Sequence, residues 1–210
     1  AANSWTVTGN EFRGNAIAAG TNEGMSLEAA NTINTTVTGN LSVSNGGPGF
    51  DLPANTGPNT YRNNTATGNG VFNAATAETP GFRVQGSNQL LDRNVSTANF
   101  GAGILVVGAA QSNRLTRNSI FANGTITNLG AAATTAQIGI DLLATTDNQA
   151  RGTSPFVTLN DANDTDTGAN TLINFPVLSS ARTVGANVLV PGALSPTPVG
   201  QFQVQFYANA

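Results

Sequence analysis

Two short motifs alternate five times each along the first two thirds of this chain, and that alternation limits the fold more than any other feature. The first motif is a pentapeptide closing on asparagine: Thr6-Val7-Thr8-Gly9-Asn10, Thr36-Val37-Thr38-Gly39-Asn40, Thr65-Ala66-Thr67-Gly68-Asn69, Val95-Ser96-Thr97-Ala98-Asn99 and Ser119-Ile120-Phe121-Ala122-Asn123. Its closing asparagines are 30, 29, 30 and 24 residues apart. The second is glycine followed by an apolar-x-apolar triplet: Gly24-Met25-Ser26-Leu27, Gly49-Phe50-Asp51-Leu52, Gly81-Phe82-Arg83-Val84, Gly103-Ile104-Leu105-Val106 and Gly139-Ile140-Asp141-Leu142. A triplet of that kind puts two side chains on one face and the middle one on the other, which is strand geometry. So short a strand cannot bury its face alone, but five stacked copies share one apolar interior. The repeat therefore predicts a solenoid of about five coils. The motifs follow one another at intervals of 4 to 16 residues, and the insertions read as loops that leave the coils without interrupting the stack.

The composition agrees. Asn and Thr number 28 each and Gly 24. Asn and Gly tolerate turn and left-handed conformations, and Thr suits pleated surfaces. Apolar residues do not recur at helical spacing over any length. Closing asparagines at matching coil positions are expected to form a ladder, each amide bonding the next across the strand spacing of about 4.8 Å.

Only 9% of the residues are charged, against about 25% in typical domains. All eight cations are Arg and no basic patch is evident, so a nucleic-acid partner, which needs clustered cations, is not expected. No apolar run of about 18 residues exists for membrane insertion. His and Cys are absent, which excludes Ser-His-Asp chemistry, imidazole or thiolate metal sites and disulfides. Low charge with abundant Asn and Thr points to the outside of a cell, and to a bacterial surface in particular. The N-terminal Ala1-Ala2-Asn3 carries no signal-peptide core, as expected of a processed chain.

These coils resemble the right-handed parallel β-helix repeats of the pectate-lyase-like superfamily, in its non-catalytic surface and secreted form, over residues 3 to 145. The resemblance implies an all-β fold. Residues 1–150 would form the β-helix, 151–180 an acidic exit loop and 181–210 a short C-terminal β segment like the start of a β-sandwich. The stretch from Val157 to Asn170, followed by Phe175-Pro176-Val177-Leu178, resembles the exit segments of such domains. A sandwich needs about seven strands, so the segment is expected to be incomplete or completed by a partner chain.

Some β-helix proteins cleave acidic polysaccharides, and a catalytic version of this chain would be a polysaccharide lyase or glycoside hydrolase. Hydrolysis needs two carboxyl groups about 5 to 9.5 Å apart. The middle residues of the second motif are Ser26, Asp51, Arg83, Leu105 and Asp141, which sets the two aspartates three coils, roughly 14 Å, apart. Asp51 and Arg83 on neighbouring coils are expected to make a surface ion pair, and Asp92-Arg93 an isolated one. No catalytic residue is assigned.

Asp161, Asn163, Asp164 and Asp166, closed by Gly168, present the oxygen-rich alternation that could wrap Ca²⁺, although the same residues also suit a solvated turn. Trp5 and Tyr61 are the candidate sugar platforms. Val188 and Val190, with the alternating Phe202, Val204 and Phe206, are candidate assembly strands, because unpaired strand edges invite another chain. The expected function is an extracellular structural or adhesive solenoid able to form homo-oligomers or filaments by end-to-end stacking or strand complementation. The alternative is a polysaccharide-binding or polysaccharide-cleaving module.

Overall fold

The computed structural model describes residues 4–15, 22–27, 32–52, 54, 57–71, 78–127, 133–194 and 203–205. Five coils follow one another. The first holds β1 (Thr6–Thr8), β2 (Glu11–Arg13) and β3 (Met25–Ser26); the second β4 (Thr36–Thr38), β5 (Leu41–Val43) and β6 (Phe50–Leu52). The third holds β7 (Asn59–Arg62), β8 (Thr65–Thr67) and β9 (Phe82–Val84); the fourth β10 (Gln89–Asp92), β11 (Val95–Thr97) and β12 (Ile104–Val106). The fifth closes with β13 (Arg114–Thr116), β14 (Ser119–Phe121) and β15 (Ile140–Leu142). Equivalent strands stack in parallel into three five-stranded sheets: β1-β4-β7-β10-β13, β2-β5-β8-β11-β14 and β3-β6-β9-β12-β15.

The corners follow from the residue before each asparagine. Between the first and second sheets, Gly9, Gly39, Asn63, Arg93 and Arg117 take φ of 54° to 66°, and the next residue is Asn10, Asn40, Asn64, Asn94 or Asn118. Beyond the second sheet, Gly14, Ser44, Gly68, Ala98 and Ala122 repeat the conformation before Asn15, Asn45, Asn69, Asn99 and Asn123. A left-handed residue turns the chain within one position, which explains how three-residue strands can close a coil.

The asparagine ladder is therefore double, and this corrects the single series expected from the motif. The pentapeptides at Thr6 and Thr36 line the first sheet, whereas those at Thr65, Val95 and Ser119 line the second. The interval of 29 steps from one ladder to the other. Within the first ladder the spacing is 30, 24, 30 and 24. Asn40 donates its backbone N–H and its Nδ2 to Asn64 Oδ1, both at 3.0 Å, and Asn64 does the same to Asn94. From Asn40 onward, the second Nδ2 hydrogen of each rung goes to a backbone carbonyl of the preceding coil, as from Asn64 to Val37 and from Asn94 to Tyr61. The buried amides of this ladder are thus hydrogen-bonded, which is the condition for tolerating them in an interior.

A third ladder, mixed in residue type, occupies the corner before the first sheet. Thr35 N–H donates to Asn59 Oδ1, Asn59 Nδ2 to Gln89 Oε1, and Gln89 N–H to Asn113 Oδ1. Its last rung comes from far along the chain: Asn113 N–H donates to Asn170 Oδ1, and Asn170 Nδ2 returns a bond to Asn113 O.

Inside the coils, both apolar residues of the second motif point inward. Phe50, Leu52, Phe82, Val84, Ile104 and Val106 from the third sheet meet Val37, Tyr61 and Leu91 from the first. Phe50 stacks on Phe82 with centroids 4.9 Å apart and meets Phe12 edge-on at 6.4 Å. The second sheet contributes smaller inward residues, Ser42, Ala66 and Ser96. The motif glycine sits where a side chain has no room. A Cβ on Gly81 would lie 2.1 Å from Ser96 Oγ and 2.7 Å from Asn99 Nδ2.

At the far end the chain does not simply leave. Ala169 N–H donates to Leu143 O and Asn170 N–H to Ala110 O, seating a tight turn over Ala169–Leu172 on the last coil. Leu172 is buried there. A cleft of about 250 Å³ lies between this turn and the final strand, lined by Ile140, Leu142, Phe156, Val157 and Phe175 among others. Beyond it, β16 (Val177–Leu178), β17 (Arg182–Val184), β18 (Asn187–Leu189) and β19 (Gly192–Ala193) form one antiparallel arm. β16 pairs with β19 and β17 with β18.

Candidate functional site

The outer face of the third sheet carries the middle residues of the second motif in register, Asp51 beside Arg83, Arg83 beside Leu105 and Leu105 beside Asp141. Asp51 and Asp141 are three strands apart, as expected. The Asp51–Arg83 contact exists, at 3.6 Å, but it is not a surface pair. The two side chains retain only 6% and 13% of their exposure. Residues flanking the sheet bury them, and the pair belongs to a network: Arg83 also reaches Glu78 at 3.0 Å, and Gln85 Nε2 donates to Asp51 Oδ1 at 2.8 Å. Burial pushes the Asp51 carboxyl up, Arg83 and the Gln85 hydrogen bond pull it back, and the net position is about 6. Asp141 is buried with Oδ2 unpartnered among the described residues. Burial, then the charge of Asp147, pushes it up to about 7. Buried carboxyls that titrate near neutrality are a property of functional sites and also of structural networks.

The second charged group was not legible as a group in the sequence. Asp92 is fully buried, and three guanidiniums from three coils close on it: Arg62 Nε at 2.9 Å, Arg93 Nη1 at 3.3 Å, and Arg117 through Nε and Nη2 at 2.8 Å each. The expected isolated Asp92-Arg93 pair is corrected to a four-residue cluster, and the expectation of no basic patch falls with it. Burial pushes the Asp92 carboxyl up, but the Arg117 hydrogen bonds and the charges of Arg117, Arg93 and Arg62 outweigh it and hold the group below its ordinary value. The available signal was positional: Arg93 and Arg117 both precede a ladder asparagine, 24 residues apart.

Tyr61 stands on the inner face of β7 with 1% of its surface exposed, so it is core and not a sugar platform. Burial, reinforced by the Asp51 charge, pushes its phenol up. Alternation explains the placement: Tyr61 is in register with Val37 and Leu91, both inward. Trp5 is 59% exposed at the start of the first coil.

In the acidic loop, the side chains serve local bonds. Asp161 Oδ2 accepts from the N–H and Oγ1 of Thr165, and Asp164 Oδ1 accepts from Asn174 N–H. Asn163 and Asp164 take left-handed φ of 71° and 53°. Among the described residues, no three His, Cys, Asp or Glu side chains, Asp166 included, converge as a metal-binding group.

The assembly strands are also placed differently. Val188 lies in β18 and is paired within its own chain to Thr183, so it is no orphan strand; it is nevertheless 66% exposed. Val190 follows β18 in the same arm. Val204 is exposed, and next to it Gln205 accepts from Arg117 N–H at 3.0 Å, which returns this segment to the edge strand of the first sheet. Phe202 and Phe206 lie outside the described residues. Among the described residues, no helix is long and apolar enough to cross a membrane.

No curated protein matches this sequence. The family model describing a right-handed β-helix region matches residues 1–153. With three parallel five-stranded sheets closed by left-handed corners, and that match over most of its length, the chain belongs to the right-handed β-helix family.

Proposed function

We propose that this chain is a structural β-solenoid of the cell exterior, a stiff spacer that adheres to further copies of itself through its C-terminal arm. The observation that carries the reading is the hydrogen-bonded ladder at each of the three corners, which commits buried amides from the second coil to the fifth to rigidity along the axis. Low charge and an Asn/Thr-rich composition suit an extracellular setting.

The arm supplies the adhesive element. Val177, Leu178, Val184, Val188 and Leu189 are 46% to 66% exposed on it. Among the described residues its four strands form only two-stranded pairs, which leaves each an unpaired edge for β-addition. A second copy is the natural occupant, since two identical arms can pair antiparallel about a two-fold axis. The arm is favoured over end-to-end stacking at the C-terminal face because Asn170 and Gln205 of the same chain already occupy edge positions there.

Light scattering over a concentration series, with electron microscopy of the same samples, tests this. Mass is expected to rise with concentration for the native chain, and the double substitution Val188→Asp/Leu189→Asp is expected to abolish the rise while leaving the melting temperature within about 2 °C. Monomers alone at the highest concentration would sink the reading.

A further inference from the structure

Asp92 accepts four N–H contacts from Arg62, Arg93 and Arg117, three on Oδ2 and one on Oδ1. One bidentate arginine would neutralise this buried group. Three leave a net charge of +2 at one corner of a chain whose overall charge is -3.

The remaining guanidinium donors are not hidden. Arg62, Arg93 and Arg117 keep 43%, 51% and 50% of their side-chain exposure, while Asp92 keeps none. The carboxylate thus sits beneath the cations as an anchor. It fixes three forks on successive coils, Arg62 at the end of β7 and Arg93 and Arg117 at the corners after β10 and β13, about 4.8 Å from one coil to the next. Thr38 and Thr116 flank the group in register, Thr38 beside Arg62 and Thr116 beside Asp92.

Nothing in the corner itself calls for arginine. The left-handed position is Gly9 and Gly39 in the first two coils and Asn63 in the third, and only then Arg93 and Arg117. At the neighbouring corner the same conformation is filled by Ala98 and Ala122. Stacking like charges on successive coils costs energy that Gly, Asn or Ala would not incur, and neutralising Asp92 calls for only one of the three arginines.

We infer that the Arg62–Arg93–Arg117 corner, organised by Asp92, is a binding site for an oxyanion of the sulfate or phosphate class. Guanidinium forks match such groups in planarity and donor spacing, and a doubly charged oxyanion balances the local +2. The site is independent of the adhesive arm and of the third-sheet face.

Inorganic sulfate, inorganic phosphate and acetate, each titrated at constant ionic strength in chloride, provide the probes, with binding read from the Nε–Hε resonances of the arginines. Saturable shifts are expected for sulfate or phosphate, with acetate at least tenfold weaker. Which of the two dianions binds more tightly then separates the sources. The variant Arg93→Gly/Arg117→Gly puts at each corner the residue already found in the first two coils and leaves Arg62 to pair with Asp92. It is expected to fold and to bind at least tenfold more weakly. Should it fail to fold, the single variant Arg93→Gly, which gives up only the longest of the contacts, is expected to weaken binding at least threefold. Arg182→Gln removes one cation from the arm and is expected to change nothing. Non-saturable shifts, native affinity in the glycine variants, or equal weakening by Arg182→Gln would each overturn the site.

Discussion

Asp141 and Asp92 are both buried carboxyls on this solenoid, and they respond to pH in opposite directions. Burial, then the charge of Asp147, raises the folded position of Asp141 to about 7; Asp51 follows to about 6. The folded chain then holds protons that the unfolded chain has released, so their contribution weakens stability as pH climbs from about 4 to about 7 and is constant above that. Asp92 is held low by its three arginines, so its contribution is present above the ordinary carboxyl range and is lost in more acidic solution. Stability is therefore expected to peak near pH 4 to 5. Asp141→Asn is expected to flatten the decline and to stabilise the chain at pH 8, by up to on the order of 4 kcal/mol. Denaturant unfolding at pH 4.5 and pH 8 checks this, and a native chain more stable at pH 8 would refute the assignment. Glycine acts at the same scale: Gly81 is required by contact with Ser96 and Asn99, and not by its backbone angle.

At the scale of elements, the three-residue strands are held as much by their corners as by their ladders. Asn99 accepts from the N–H and Nδ2 of Asn69, and donates to Ala66 O, Ser96 Oγ and Asn123 Oδ1. Replacing it with alanine strands several buried polar groups at once, each worth about 1 to 3 kcal/mol when unsatisfied. Asn99→Ala is expected to cost about 3 kcal/mol or more in a urea titration, and a loss below about 1 kcal/mol would show that the ladder does not stabilise the stack. The pentapeptide motif exposed these corners, but it did not separate them. Thr36–Asn40 and Leu41–Asn45 follow directly upon one another with the same strand, left-handed residue and asparagine. Their local physics is identical, so only the pairing of coils reveals two ladders. The third ladder was illegible for a different reason: Thr35, Asn59, Gln89 and Asn113 share a position without sharing a residue type.

Across the whole molecule, each coil touches only its neighbours, so protection is expected to grade along the axis. Amides of β7, β8, β10 and β11 in the middle coils should exchange slowest, and those of the two-stranded arm fastest, since isolated hairpins are marginal in water. Hydrogen exchange followed by mass spectrometry measures the gradient; equal protection in the arm and the middle coils would contradict it. The C-terminal end is steadied by Asn170 and Gln205, which come back to the last coil from residues 57 and 88 positions away.

Local chemistry sufficed to specify the coil. Glycine-led apolar triplets set which faces turn inward, and left-handed residues before asparagine set where the chain bends, because both act over a few neighbouring residues. What depended on tertiary structure was everything that joins one coil to another: the doubling of the ladder, the burial of Tyr61, the enclosure of Asp51 with Arg83, and the gathering of Arg62, Arg93 and Arg117 on Asp92. Those outcomes hinge on the register between segments 24 to 34 residues apart, and loop lengths set that register without leaving a local mark.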